Sequence, residues 1–381
     1  MTASASNAVT SRVAKAGEGS LRDHRGSWIP TVSMITTRIM ELRRRKGLMA
    51  AMIVVNIGVP TIFLLVRLIA HAVVPKSYGP AGGYDIFSNL VAGVMYVFGF
   101  IVAATLGCTA GSVDLSEGMF RHLVITGRSR VALYFARIPA GLALIVPLVA
   151  VGFTIVCAVC VFAAPTKLYY EGVNVPPGLT LSGFESWASQ HPKEAVCGLP
   201  YDGPIGIPCF INGKGKIVNP PGVHVKKISE VTLKADAVKI AKYAYVGYSQ
   251  QFLSPPTSLM VKAGLWIELE AIIGFVVGLG LGSLLGQRTV SVVLMLVLEV
   301  VLTPIFIRSP IRHLINAQRG LVGLATAHLE PGGLPTAFGG GSPNGVAQIV
   351  PETTTVAVCV IIAWLVVWTA LGAWRMATRD A

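Results

Sequence analysis

Six long apolar stretches constrain this chain more than any other feature. A transmembrane helix needs about 20 consecutive, mostly apolar residues. Six runs qualify: 48–74, 86–112, 131–164, 259–285, 290–307 and 354–376. The fifth is the shortest and suits a tilted or re-entrant helix. The chain is 53% hydrophobic and 13% charged, with a mean hydropathy of +0.66, which puts it among membrane proteins before any motif is considered. A net charge of +13 invites a nucleic-acid reading. The cations argue against it: they flank the apolar runs, and no basic stripe is interleaved with aromatic residues.

The same cations orient the chain. Arg43, Arg44, Arg45 and Lys46 precede the first run and hold the N-terminus in the cytoplasm. An even number of spans returns the C-terminus inside, in agreement with Arg375 and Arg379; Arg288 marks the inner turn between runs four and five. The expected fold is an all-α polytopic membrane protein with six transmembrane helices and cytoplasmic termini. A small mixed α/β extracellular insertion stands between helices 3 and 4.

In chain order, residues 1–27 are Ser-, Ala- and Gly-rich without apolar periodicity and read as a disordered cytoplasmic tail. They lack the apolar core of a cleavable signal peptide. Segment 28–47 reads as an amphipathic interfacial helix with Val32, Ile35, Ile39 and Leu42 on one face; a plain basic anchor fits the same residues. Helices 1–3 fill 48–164. Residues 165–256 form the extracellular insertion, where Ser182 and Glu185 have capping-box spacing ahead of a short helix over 184–189. A hairpin over 209–218 turns at Asn212-Gly213, and 235–251 has helical character. Helices 4–6 fill 257–376, with an outer loop at 308–352 that opens on a broken amphipathic stretch and becomes Gly/Pro-rich; 377–381 is a cytoplasmic tail.

Between runs two and three lies a polar, basic island, 111–137: GSVDLSEGMFRHLVITGRSRVALYFAR. Asp114, Ser116 and Glu117 suit the first turn of a helix, and Leu115, Met119 and Leu123 give it one apolar edge. Gly127 suits its end, and Ser129 the cap of the next helix. An amphipathic helix over 113–125, held between two spans, is a lever: whatever grips it moves both.

No phosphate-binding Walker loop, HExxH or GxSxG motif is present, so the sequence offers no catalytic, cofactor or metal site. Of six cysteines, Cys108, Cys157, Cys160 and Cys359 lie in apolar runs and read as small hydrophobes. Cys197 and Cys209 share the outer polar loop, where a disulfide between them is expected. Ionisable residues within spans are costly and need a partner, water or a purpose. Pairing with Arg67 serves Glu268 or Glu270. Glu299 has no partner at its depth, so a pathway-lining role stands beside a structural one, with Glu270 the second pathway candidate. The ridge Gly274, Gly278, Gly280, Gly282 and Gly286 suits close helix packing.

Taken together, the pattern resembles the permease subunit of ABC-2 type ATP-binding-cassette transporters. The likeness is carried by the amphipathic segment 31–46, and by 111–137 with Glu117-Gly118, a short apolar helix, Ser129-Arg130 and Arg137. Six spans and the broken stretch after the fifth add to it. The insertion between spans three and four departs from the pattern of many members. The resemblance implies a multi-pass protein of a bacterial plasma membrane that exports an amphipathic or lipid-like molecule. It implies a second permease subunit, identical or not, and a separate ATPase subunit that binds the ATP. Asp114, Glu117, Gly118 and Arg121 would couple to that ATPase. Two other classes stay open: a non-transporting membrane sensor or scaffold acting through 165–256, and a proton-driven carrier using Glu299.

Overall fold

The computed structural model describes residues 28–74, 81–116, 129–164, 168–170, 173–176, 178–199, 210–211, 217–218, 230–252, 254–308, 317–335 and 352–378. Helix dominates them. Five helices are long and apolar enough to cross a membrane: α2 (Lys46–Val73), α3 (Tyr84–Asp114), α4 (Arg130–Phe162), α8 (Thr257–Leu285) and α12 (Thr354–Thr378). The protein is membrane-embedded. Large apolar side chains exposed on these helices, such as Ile62, Val66, Leu265 and Val366, face what would be lipid.

The chain forms two compact units, one of Met1–Pro60, Val91–Phe153 and Val261–Ala381, the other of Thr61–Leu90 and Thr154–Met260. In the first unit α1 (Val32–Arg44) precedes α2. Its inward stripe differs from the expected one. Met34, Arg38 and Leu42 are buried, while Val32 is 76% exposed. The stripe follows i, i+4, i+8 and includes a cation, which pays for its burial with the ion pairs described below.

Helices α3 and α8 meet along the glycine ridge. A Cβ on Gly278 would lie 2.6 Å from the Ala104 carbonyl oxygen, and one on Gly282 2.5 Å from that of Cys108. From the other side, a Cβ on Gly111 would lie 2.5 Å from the Leu279 oxygen. Small residues let the two backbones touch, which replaces the hydrophobic drive missing in lipid. Gly286 plays another part: at φ 69° it ends α8 in the left-handed region that favours glycine.

The fifth apolar run is helical but broken. It comprises α9 (Arg288–Leu296), a π-helical turn (Val297–Leu302) and α10 (Thr303–Arg308). Thr303 Oγ1 donates to the Leu298 carbonyl at 3.2 Å, five residues back, as a π turn permits. After it, α11 (Val322–His328) is almost wholly buried. Two indoles pin this segment: Trp266 Nε1 donates to the Thr326 carbonyl and Trp364 Nε1 to the Gly320 carbonyl, both at 2.8 Å.

The second unit contains two short antiparallel pairs, β1 (Leu168–Tyr170) with β2 (Val173–Val175), and β3 (Phe210–Ile211) with β4 (Ile217–Val218). The expected hairpin thus has its strands in register Phe210↔Val218, while its turn lies outside the described residues. Helices α5 (Leu181–Gln190), α6 (Pro192–Gly198) and α7 (Glu230–Phe252) build the core from Phe184, Trp187, Ala195, Ile240, Ala244 and Tyr248. The cap of α5 is Thr180 rather than Ser182: its Oγ1 accepts from Gly183 N at 3.3 Å. Thr180 is the residue with extended backbone, which a cap requires. The Phe184 and Tyr248 rings stack at 4.4 Å. Tyr248 Oη donates to the Pro176 carbonyl and accepts from Leu179 N, tying α7 to the β2–α5 link.

Candidate functional site

Asp114 does not open a new helix as expected. The α-helix Tyr96–Ser116 runs on past it without interruption. Helical geometry therefore carries its carboxylate onto the packed side of α3, where it is 1% exposed. Two guanidinium groups reach it. Arg38, from α1, makes a fork: Nη1 to Oδ1 at 2.9 Å and Nη2 to Oδ2 at 2.5 Å. Arg137, from the second turn of α4, donates Nη2 to Oδ2 and Nη1 to the Gly111 carbonyl at 3.1 Å. Glu41 accepts from Arg38 Nη1 at 2.6 Å.

The four charges sum to zero. Burial alone would lower the pKa of Arg38; the hydrogen bonds it donates to Asp114, with the charges of Asp114 and Glu41, hold it above the ordinary arginine value. The cluster joins α1, the end of α3 and the start of α4 through paired, largely buried ions. Such an arrangement is stiff, because each charge is costly once separated from the others.

Of the residues expected to couple to an ATPase, Asp114 alone is described; Glu117, Gly118 and Arg121 lie outside the described residues. Arg38 was missed. The signal for it existed: an arginine at the centre of the Met34–Leu42 stripe is out of place unless an acid faces it.

The two pathway candidates come together at a second place. Glu270 on α8 and Glu299 in the π turn are 1% and 8% exposed and interact electrostatically. The hydroxyls of Tyr96 and Thr326 lie near Glu270, and Thr326 Oγ1 donates to the Gly323 carbonyl at 3.0 Å. Tyr96 stacks on Trp266 at 4.6 Å, and its hydroxyl lies 3.2 Å from Thr326 Oγ1. Glu299 packs on α11 at Gly323, where a Cβ would lie 2.7 Å from Glu299 Cδ. Only glycine leaves that space. Glu299 Oε1 and Glu270 Oε2 have no hydrogen-bond partner among the described residues. A small cavity of about 20 Å³, room for a single water, lies beside Glu299, walled by Phe100, Ile273, Met295, Leu321 and Trp364.

Cys197 takes part in a disulfide; Cys209 lies outside the described residues. Cys108, Cys157, Cys160 and Cys359 are free thiols. No protein-family model matches the chain, and no curated protein or solved structure matches it either.

Proposed function

We propose that the chain is the permease subunit of an ABC-2 type exporter for an amphipathic or lipid-like molecule, driven by a separate ATP-binding subunit. The observation that carries this reading is the clasp of Asp114 between Arg38 and Arg137. A docked ATPase would press on α1 and on the segment following α3. The clasp makes α1, α3 and α4 respond together, so closure of the nucleotide site becomes a rocking of spans. In this reading the broken helix from Arg288 to Arg308 is the fifth of six spans, and both termini are cytoplasmic. The insertion carrying β1–β4 and α5–α7 is extracellular, with Cys197 and Cys209 paired. The membrane is a bacterial plasma membrane, and two permeases, identical or not, frame the path.

A sensor or scaffold acting through the insertion is the second reading. It is favoured by the insertion's own aromatic core. Co-expression with an ATP-binding-cassette subunit encoded beside the chain separates the two. The permease reading expects a complex that survives purification in lipid, weakened by Asp114→Ala. Failure to capture any such subunit would move the assignment to the scaffold.

A further inference from the structure

Glu270 and Glu299 carry two carboxylates into the packed interior of the helix bundle, at 1% and 8% exposure, and the two interact electrostatically. Among the described residues no Arg, Lys or His forms an ion pair with either. The cations of the neighbouring elements lie elsewhere. His328, at the end of α11, faces Glu352 at 3.6 Å. Lys262, about two turns before Glu270 on α8, is exposed, and so is Arg288 at the start of α9. The titratable groups around the pair add no positive charge: they are Tyr96 of α3, which lies in the field of both acids, and Glu330, which acts on Tyr96 as well. Two buried carboxylates that share a site without a cation cannot both stay ionised; a proton held by the pair removes the repulsion.

A second feature gives this pair its ligand. Glu299 Oε1 has no hydrogen-bond partner among the described residues, and its side chain lines the cavity of about 20 Å³. That volume admits one water and nothing larger. Thr303 lines the same cavity, so a water there meets a carboxylate and a hydroxyl. The other walls are apolar, with Phe100, Ile273 and Met295 among them. A hard metal cation takes about six oxygen ligands, which these two side chains do not supply. A proton needs one.

We propose that Glu270 and Glu299 form a binding site for a single exchangeable proton, which enters at Glu299 from water in this cavity. A hydronium there gives up its proton: one O–H bond breaks on the hydronium, one forms on Glu299 Oε1, and a water is left behind. The pair then keeps one negative charge instead of two. Glu270 does not line the cavity and acts through its charge, which strengthens the hold on the proton. Glu299 sits in the π turn and packs on α11 at Gly323, so loading the proton changes the charge at the contact between the broken helix and α11. Turns of this kind often mark functional positions. Proton binding here is separate from the energy source proposed above.

The test uses the full chain alone in lipid nanodiscs, without an ATPase. Infrared difference spectroscopy follows the carboxylic-acid C=O stretch as pH is raised, in H2O and in D2O. Wild type shows a buried, deuterium-sensitive carboxylic acid that loses its proton in one step. In Glu270→Gln, which keeps the shape, Glu299 has lost its like-charged neighbour. It binds the proton at least tenfold more weakly, so the step moves down by about one pH unit or more. Combining Glu270→Gln with Glu299→Gln removes the band. Replacing sodium by N-methylglucamine leaves the wild-type step in place. Absence of the band in wild type, a band that survives the double change, or an unmoved step in Glu270→Gln would overturn the site. A step that follows sodium would assign the site to a metal cation and overturn it too. The wild-type titration needs no variant, so a substitution that fails to fold does not shield the proposal. The permease reading fails on other ground, since loss of an ATPase complex leaves this titration unchanged.

Discussion

Asp114 sets one negative charge between two guanidinium groups, and Glu41 supplies the balancing second. Removing Asp114 leaves Arg38 and Arg137 buried side by side. Breaking a buried pair in this way costs about 3–5 kcal/mol. Asp114→Ala should therefore lower the thermal midpoint of the purified chain steeply. Arg38→Lys keeps the charge but loses the two-toothed geometry, and should cost clearly less. Equal loss from both would mean that the two-toothed geometry, and not the charge, carries the clasp. How far this cluster can be read in a sequence depends on distance along the chain. Asp114 and Arg137 stand in one polar island, and their importance is legible there. Arg38 lies 76 residues before its acid. No periodicity records such a pairing; it exists because α1 folds back onto the end of α3. The closeness of Glu270 and Glu299 escapes the sequence for the same reason, since they come from separate helices and meet across α11.

At the scale of elements, length and apolarity reveal helices well, because lipid leaves the backbone few other options. The glycine ridge is legible too, since small residues at helical spacing have a direct steric meaning. Gly278→Val should drive α3 and α8 apart, at a cost of about 1–3 kcal/mol for overpacking. The valine would have to displace the Ala104 backbone rather than a pliable side chain. A full-strength fold in that variant, judged by thermal unfolding in the same detergent, would contradict the contact. Breaks inside helices are harder to foresee. The π turn at Val297–Leu302 stands just ahead of Pro304, which has no N–H to close the helical ladder, yet Pro139 and Pro147 leave α4 unbroken. Caps are decided by backbone angles that neighbouring residues share. Ser182 and Thr180 both have the chemistry, and Thr180 has the extended backbone. Thr180→Ala should cost the second unit about 1 kcal/mol, and Ser182→Ala much less. Reversed costs would restore Ser182 as the cap.

For the whole molecule, membrane insertion follows from five helices of sufficient length and apolarity. What the membrane protein does follows from how its inner parts are joined. A permease has to convert a push from outside its own chain into motion of its spans, and a stiff ionic clasp among α1, α3 and α4 is suited to that task. The measurement that tests this most directly is ATP hydrolysis by the chain and its candidate ATP-binding partner, co-reconstituted in lipid. It should be made beside a variant carrying Arg121→Glu and Gly118→Trp in the segment that follows α3. The account predicts a stable complex whose hydrolysis rate shifts when that segment is altered. No complex, or a complex whose hydrolysis ignores the alteration, would contradict it and turn attention to what binds the insertion between α4 and α8.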